Sequence, residues 1–317
     1  MILLISNKWD LSVDYVVQVL RARGEKFLRL NTEDLPGSAC TVKFPDFAYA
    51  IGSDVTAVDL VGTLKSIWFR RPGKPFEDID EDSVSPEVAH YVSEQWLSFM
   101  DGLLSIENVL WINEPGRNQD AECKILQLRR AQQLGLSVPR TCITSSKKEA
   151  LEFYRQCEGR VVVKALYSPL IEYPDKDFFI FTTLLEEIDD IPENEFSIAP
   201  SIFQERLMGK IDYRVTVIGQ HCFTVKIEGK DGSAVALDWR TQKDGLLFTP
   251  CELPQDVAGQ CIKLVQSLGL MFGAIDLAEV DGQFYFLEIN PNGEWGWLQA
   301  DLPIAETLAD YLIAGKT

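Results

Sequence analysis

The stretch at 273–297, GAIDLAEVDGQFYFLEINPNGEWGW, constrains this chain more than any other. Two runs of alternating polarity flank Asp281-Gly282, the pattern of a β-hairpin. In the second run Glu288 and Asn290 stand two apart, so both side chains leave one face of a strand while Leu287 and Ile289 leave the other. A carboxylate and an amide on an otherwise apolar strand are costly to bury unless a cation satisfies them. Magnesium suits such a pair, because it takes one or two protein carboxylates and completes its shell with water and phosphates. Asp276, on the preceding strand, is the third candidate ligand. For Asp276 to share a face with Glu288, opposing residue numbers must sum to an even number. That calls for an odd loop such as Asp281-Gly282-Gln283 with Gly282 at positive φ; a tight two-residue turn puts Leu287 opposite Asp276 instead. The rival reading is an edge hairpin with solvated acids. Pro291-Asn292-Gly293, which stops the strand beside the two polar residues, favours a ligand-facing loop.

Composition narrows the classes. With 317 residues, 46% hydrophobic and 25% charged, the chain suits a globular protein of two or three lobes. No apolar run reaches the length of a membrane span, and the start, Met1 to Ser6, is too short and lacks the basic residues of a signal peptide, so a cytoplasmic location is expected. Seven cysteines occur without a C-x-x-C pair and only two histidines, His90 and His221, which disfavours zinc sites, disulfide frameworks and Ser-His-Asp chemistry; most of the cysteines are expected as small buried hydrophobes. A net charge of −18 argues against nucleic acid as a partner unless cations are focused locally.

Taken in order, residues 1–6 read as a buried strand, 12–23 as a helix ending at Gly24, and 26–30 as a second strand, together a right-handed βαβ unit. No G-x-G-x-x-G follows the first strand, so NAD is not expected. Further strands are expected at 42–47, 61–71 and 109–112, an acidic surface loop at 78–87 and an apolar-rich helix at 86–104 containing Val88, Val92, Trp96, Phe99 and Leu103. Arg70 and Arg71 close a strand before Pro72-Gly73, facing either an anion or solvent; for Arg70 the solvated strand end is preferred.

Asn113-Glu114-Pro115-Gly116 marks a boundary. A helix at 120–134, with Ala121, Ile125, Leu128 and Ala131 on its apolar stripe, carries Lys124 near its positive end, where a solvated surface lysine is the alternative. Lys164 ends a Val-Val-Val strand and must snorkel or meet an anion, and the anion is preferred. Residues 168–177 read as a flap. The strand at 201–207 runs into Gln204-Glu205-Arg206-Leu207, and alternation at 212–217 sets Asp212, Arg214 and Thr216 on one face, where Arg214 meets either phosphate or a salt-bridge partner. A returning strand at 222–227, a hairpin tip at 229–232 and helices at 257–268 and 304–314 complete the chain.

Two lysines, a strand ending Gln-Glu-Arg-Leu, an inward Asp-x-Arg and Asp…Glu-x-Asn, in that order, resemble the ATP-grasp superfamily across the whole chain. The resemblance implies a mixed α/β and α+β protein: an N-terminal Rossmann-like, pre-ATP-grasp lobe at 1–113, a central ATP-grasp lobe at 114–200 and a C-terminal ATP-grasp lobe with the magnesium site at 201–317. It implies ATP and Mg²⁺ as cofactors. Lys124 and Lys164 would contact phosphates, Gln204, Glu205 and Leu207 would form the adenine hinge, and Asp212 would lie near ribose. Arg214 would face the γ-phosphate or an acyl phosphate, and Asp276, Glu288 and Asn290 would bind magnesium. The runs SIWFRRP at 66–72, WINEPGRN at 111–118, Asp238-Trp239-Arg240 and EINPNGEWGW at 288–297 look like those of the microviridin-type peptide ligases, the graspetide synthetases. By that likeness the partner is a precursor peptide with a leader and an acidic core, Arg240 serves catalysis, and Arg71, Asp238 and Asn292 face the substrate. Such enzymes activate Asp or Glu side chains and close esters to Ser/Thr or amides to Lys. Neither nucleic acid nor membrane is expected as a partner, and a homodimer is suggested by related ligases. Two other readings share the nucleotide site: a ligase adding amino acids such as glutamate to a protein or peptide, and a noncatalytic nucleotide-binding regulator. The full set of lysines and metal ligands argues against the regulator.

Overall fold

The computed structural model describes residues 1–52, 58–75, 85–167, 170–171, 178–186, 188, 191–230, 235, 237–242 and 245–316. They fall into two compact units, one of Met1–Asn118, Leu270–Phe272 and Glu294–Thr317, the other of Gln119–Gly269 and Gly273–Gly293.

The first unit grows from its N-terminal strand. Ile2–Ser6 is buried throughout because it lies inside a parallel sheet ordered Phe27–Asn31, Ile2–Ser6, Ser66–Phe69, Leu110–Ile112. Helix Leu11–Ala22 connects the first two of these strands. Asp10 caps it by accepting from the Ser12 N–H at 3.0 Å, and Val13, Val16, Val17 and Leu20 point inward as their spacing predicts. A small antiparallel sheet of Thr41–Lys43, Ala48–Ile51 and Val58–Asp59 adds Tyr49 and Ile51 to a core with Leu3, Ile5, Ile67 and Leu103. Two expectations change here. Helix Pro86–Asp101 buries only Met100 fully, Val88 is half exposed, and Trp96 and Phe99 pack partly against the core. Arg70 is not a solvated strand end but 1% exposed, its Nε 2.9 Å from Asp10 and its Nη2 2.9 Å from Glu294. Those carboxylates, far away in sequence, make the burial tolerable. Asn113 is also buried: its Oδ1 accepts from the N–H groups of Met271 and Phe272 at 2.8 and 2.9 Å.

In the second unit one antiparallel sheet runs in the order Thr183–Leu184, Val161–Lys164, Ser201–Glu205, Thr141–Thr144, with helix Lys147–Gln156 supplying Ala150 and Phe153 to its core. Strand Ser201–Glu205, assigned by sequence to the third lobe, pairs within this sheet. A five-stranded sheet runs Leu246–Cys251, His221–Gly229, Ile211–Ile218, Phe272–Val280, Gln283–Asn290. Helix Gln255–Ser267 buries Val257, Cys261, Leu264 and Val265. The helix expected at 120–134 is split into Pro115–Ala121 and Lys124–Gln133 by the extended backbone of Cys123. Lys124 is therefore the first residue of its own helix. The apolar stripe is corrected too: Gln127 and Ala131 are buried, whereas Ile125 is 53% exposed.

Of the cysteines only Cys157 and Cys261 are buried; the others reach solvent in part, and Cys123 is exposed at the helix break. Among the described residues no helix is long and apolar enough to cross a membrane. Most of the flap at 168–177, most of the acidic loop at 78–87 and half of the tip at 229–232 lie outside the described residues; the described part of the flap, Leu170–Ile171, pairs antiparallel with Phe178–Phe179.

Candidate functional site

The site is built on the hairpin. Asp281 and Gly282 both have positive φ, 50° and 82°, and Val280 pairs with Gln283, so the turn has two residues and not the odd loop expected. With that turn alone Leu287 would oppose Asp276. The register instead shifts between Asp276 and Leu277: Leu277 pairs with Phe286, Asp276 with Glu288 and Ala274 with Asn290. Leu287 is the extra residue of a bulge, and one added residue restores the parity that brings Asp276 and Glu288 together. The acidic strand is the last of its sheet, and its outer edge is occupied: Phe286 N–H donates to the Ser137 carbonyl at 2.8 Å, and Gln127 bonds Ile289.

Cations surround the two carboxylates. Arg214 Nη1 lies 2.9 Å from Asp276 Oδ1, both side chains buried. Glu288 sits between Arg240, 3.3 Å away, and Lys124, 3.6 Å away. Lys124 also donates to the Ala165 carbonyl at 2.9 Å, just past the end of strand Val161–Lys164. Lys164 Nζ donates a hydrogen bond to Gln204 Oε1 at 2.7 Å, and Gln204 Nε2 in turn donates to Thr141 Oγ1 at 3.0 Å. Asp238 holds Arg240 by a two-pronged pair, Nε at 2.8 Å to one oxygen and Nη2 at 2.7 Å to the other, with Thr182 donating to the same carboxylate. Gly293 explains its place in the Asn-Pro-Asn-Gly loop: a Cβ there would overlap Ala274 Cβ and lie 2.8 Å from Arg214 Nη2.

The charges respond to this setting. Burial raises the pKa of Asp276, and Arg214 opposes it without cancelling it. Burial also acts on Glu288, but the field of Arg240, Lys124 and Lys164 prevails and holds its carboxyl below the usual range. Burial lowers the Lys164 pKa against the pull of Glu288. Four cations, Arg214, Arg240, Lys124 and Lys164, thus gather around three carboxylates, Asp276, Glu288 and Asp238, leaving an excess of positive charge that suits an anion such as a phosphate.

The donor set fits magnesium. Asp276, Glu288 and the Asn290 amide offer hard oxygens on one sheet face, and among the described residues no three His, Cys, Asp or Glu side chains cluster. Two carboxylates and an amide leave positions for water and phosphate oxygens, which is how magnesium is ordinarily bound.

Of the sequence-predicted residues, Lys124, Arg240, Asp238 and Glu288 form one bonded chain, Arg214 and Asp276 another beside it, and Lys164 and Gln204 a third. Asp212 is buried and paired with Lys210, which the sequence reading passed over although alternation puts it on the same face. Glu205 and Arg206 give their N–H groups to the carbonyls of Arg140 and Arg160, at 2.8 and 3.0 Å. Arg71 stands in the first unit, its Nη1 2.9 Å from Glu294. Gln127 was missed as well. Its signal was the three-residue step from Lys124, which makes the two neighbours on one helix face.

No protein-family model and no curated protein matches the chain. Solved structures do. A RiPP-associated ATP-grasp ligase of Chryseobacterium gregarium, in complex with ADP and a leader and core peptide, superposes with a TM-score of 0.88 at 24% identity, over 99% of this chain and 96% of that one. The macrocyclase MdnB of Microcystis aeruginosa MRC is 28% identical with a TM-score of 0.77, over 99% of both chains. The chain has the ATP-grasp ligase fold. A further ATP-grasp ligase, PsnB, complexed with a minimal precursor, Mg and ADP, matches at a TM-score of 0.79 and 21% identity over 100% of this chain and 97% of that one. The ATP-grasp fold accounts for the paired antiparallel sheets of the second unit, one bearing Lys164 and the other the acidic hairpin.

Proposed function

We propose that this chain is an ADP-forming ligase that phosphorylates Asp or Glu side chains of a ribosomally made precursor peptide and closes macrocycles through esters to Ser/Thr or amides to Lys. The observation that carries the reading is Glu288 held between Lys124 and Arg240, with Asp276 beside it against Arg214. A carboxylate is a poor electrophile. Transfer of the γ-phosphoryl group from ATP to it gives an acyl phosphate and ADP; attack of a hydroxyl or amine on that carbonyl then expels phosphate, and the nucleophile loses its proton.

In this reading Lys124 and Lys164 bind phosphates, Arg214 and Arg240 stabilise charge on the transferred group, and Gln204 to Leu207 flank the base with Asp212 near ribose. Asp276, Glu288 and Asn290 hold magnesium, which supplies Lewis-acid charge at the phosphates when bound. Arg71, Asp238 and Asn292 serve the peptide, Asp238 by fixing Arg240. The functional lobes are 1–113, 114–205 and 206–317, the central one taking in strand Ser201–Glu205, and the setting is cytoplasmic, where ATP is abundant.

The test is the intact mass of a short acidic precursor peptide encoded beside the gene, after incubation with the protein and Mg-ATP. Loss of one water per bond with matching ADP release is expected. A gain of amino-acid residues assigns the chain to peptide extension, and no mass change with any such peptide removes the ligase reading.

A further inference from the structure

A pocket of about 450 Å³ opens in the first unit, walled by Trp9, Leu11, Tyr15 and Trp297, with Arg71 and Glu294 among its charged groups. Its volume lies within the roughly 300–1,000 Å³ of ligand sites. Trp9 is 85% exposed and Leu11 70%. Large apolar side chains gathered around one concavity mark a binding surface more often than a bare one. The wall is backed by rigid packing: the Tyr15 ring is 6.4 Å from that of Trp295, which is buried and stacks on Trp68 at 6.5 Å.

The charges at the pocket say what does not bind there. Arg70 lies 2.9 Å from Asp10, and Arg70 and Arg71 each lie 2.9 Å from the same Glu294 oxygen. Two guanidiniums face two carboxylates, so neither a phosphate nor an ammonium group meets an excess of opposite charge. The complement is an uncharged group of large apolar area.

We propose that this pocket seats a large apolar or aromatic side chain of the peptide substrate. The inference rests on the reading that the chain acts on a peptide, and it adds a specificity element to it: the residue accepted here is neutral although the residue that reacts is acidic. Trp9 and Leu11 give contact area at no cost in internal packing, since neither is buried in the fold.

The experiment is a fluorescence-anisotropy titration of two dye-labelled acidic peptides, identical except for one central Phe or Ala, against the full chain, Trp9→Ala and Leu11→Ser. The Phe peptide is expected to bind the unaltered protein about tenfold more tightly, the effect of one good anchor, and both variants are expected to abolish the difference. A fluorescent ADP analogue should bind all three proteins alike, which shows that the variants are folded. Equal affinity for the two peptides, or binding of neither, overturns the proposal. So does concentration-dependent self-association that Trp9→Ala removes, because the face then belongs to a second copy. Peptide mass after Mg-ATP treatment separates this proposal from the ligase reading. A Phe preference without mass change keeps the pocket and removes the ligase; processing that is the same in the unaltered protein and Trp9→Ala, with no Phe preference, keeps the ligase and removes the pocket.

Discussion

Gln127 and Ile289 bind each other in both directions: Gln127 Nε2 donates to the Ile289 carbonyl at 2.9 Å, and its Oε1 accepts from the Ile289 N–H at 3.1 Å. A third bond runs from the same amide to the Ala121 carbonyl at 2.7 Å. Ile289 separates Glu288 from Asn290, so a helix side chain fixes the backbone that aims both. Gln127→Leu strands these buried backbone groups, at about 1–3 kcal/mol each, and should lower stability by about 3 kcal/mol in urea denaturation. Gln127→Glu keeps the acceptor for the Ile289 N–H but sets a buried carboxylate against the Ala121 and Ile289 carbonyls, and at neutral pH should cost at least as much as the leucine variant. Retention of full stability in the leucine variant would remove this role.

Gly293→Ala should be worse than its size suggests. The added methyl overlaps Ala274 and presses on Arg214, and overpacking of this kind costs about 1–3 kcal/mol. The double variant Ala274→Gly, Gly293→Ala vacates the first clash and should recover part of the thermal stability, with full recovery blocked by the Arg214 contact.

Glu288→Gln keeps the shape of the hairpin and removes one of the two anionic ligands proposed for magnesium. Titration of ADP release with Mg²⁺ should show the half-saturating concentration rise by roughly 10–100-fold, the range seen when metal-site partners are altered. An unchanged Mg²⁺ dependence would take Glu288 out of the metal site. Chelation of Mg²⁺ should stop ADP release in the unaltered protein.

Glu294 gives the first unit an acid-sensitive joint. Burial pushes its carboxyl pKa up, but Arg70, the Ser12 hydroxyl, the Gly296 N–H and Arg71 together pull it below the usual range. A group with a depressed folded pKa contributes stability above its unfolded value and loses it as pH falls through the folded one. The unaltered protein should therefore exceed Glu294→Gln in stability at neutral pH. That margin should shrink once the pH drops below about 4.3, the ordinary glutamate value. Thermal unfolding of both proteins across that range checks it, and a margin independent of pH would deny the carboxylate this part.

What the sequence disclosed was the part governed by local periodicity. The βαβ start, the Val-Val-Val strand ending at Lys164 and the inward Arg214 all follow from spacing, and the structure keeps them. What it hid depends on distant partners. Arg70 is buried because Asp10 and Glu294 come to it from far along the chain, and no window around residue 70 contains either. Gln127 took an inward position that an apolar stripe would give to Ile125, because its amide is needed at Ile289 and not because of its hydrophobicity. The turn is hidden for a subtler reason: parity demands one extra residue, and nothing local to Asp281-Gly282 says that it sits at Leu287 and not in the turn.

That placement makes the hairpin a compensated device. The bulge at Leu287 and the tight turn each reverse which face the far residues occupy, and together they cancel. At this chain length, flattening the bulge keeps the site only if Gln283 joins the turn to make it three residues long; without that, Asp276 and Glu288 would face opposite sides of the sheet. Deleting Leu287 outright is different, because the two-residue turn then sets Asp276 directly against the glutamate. A one-residue gap at the bulge in an aligned sequence is therefore no sign of a lost site.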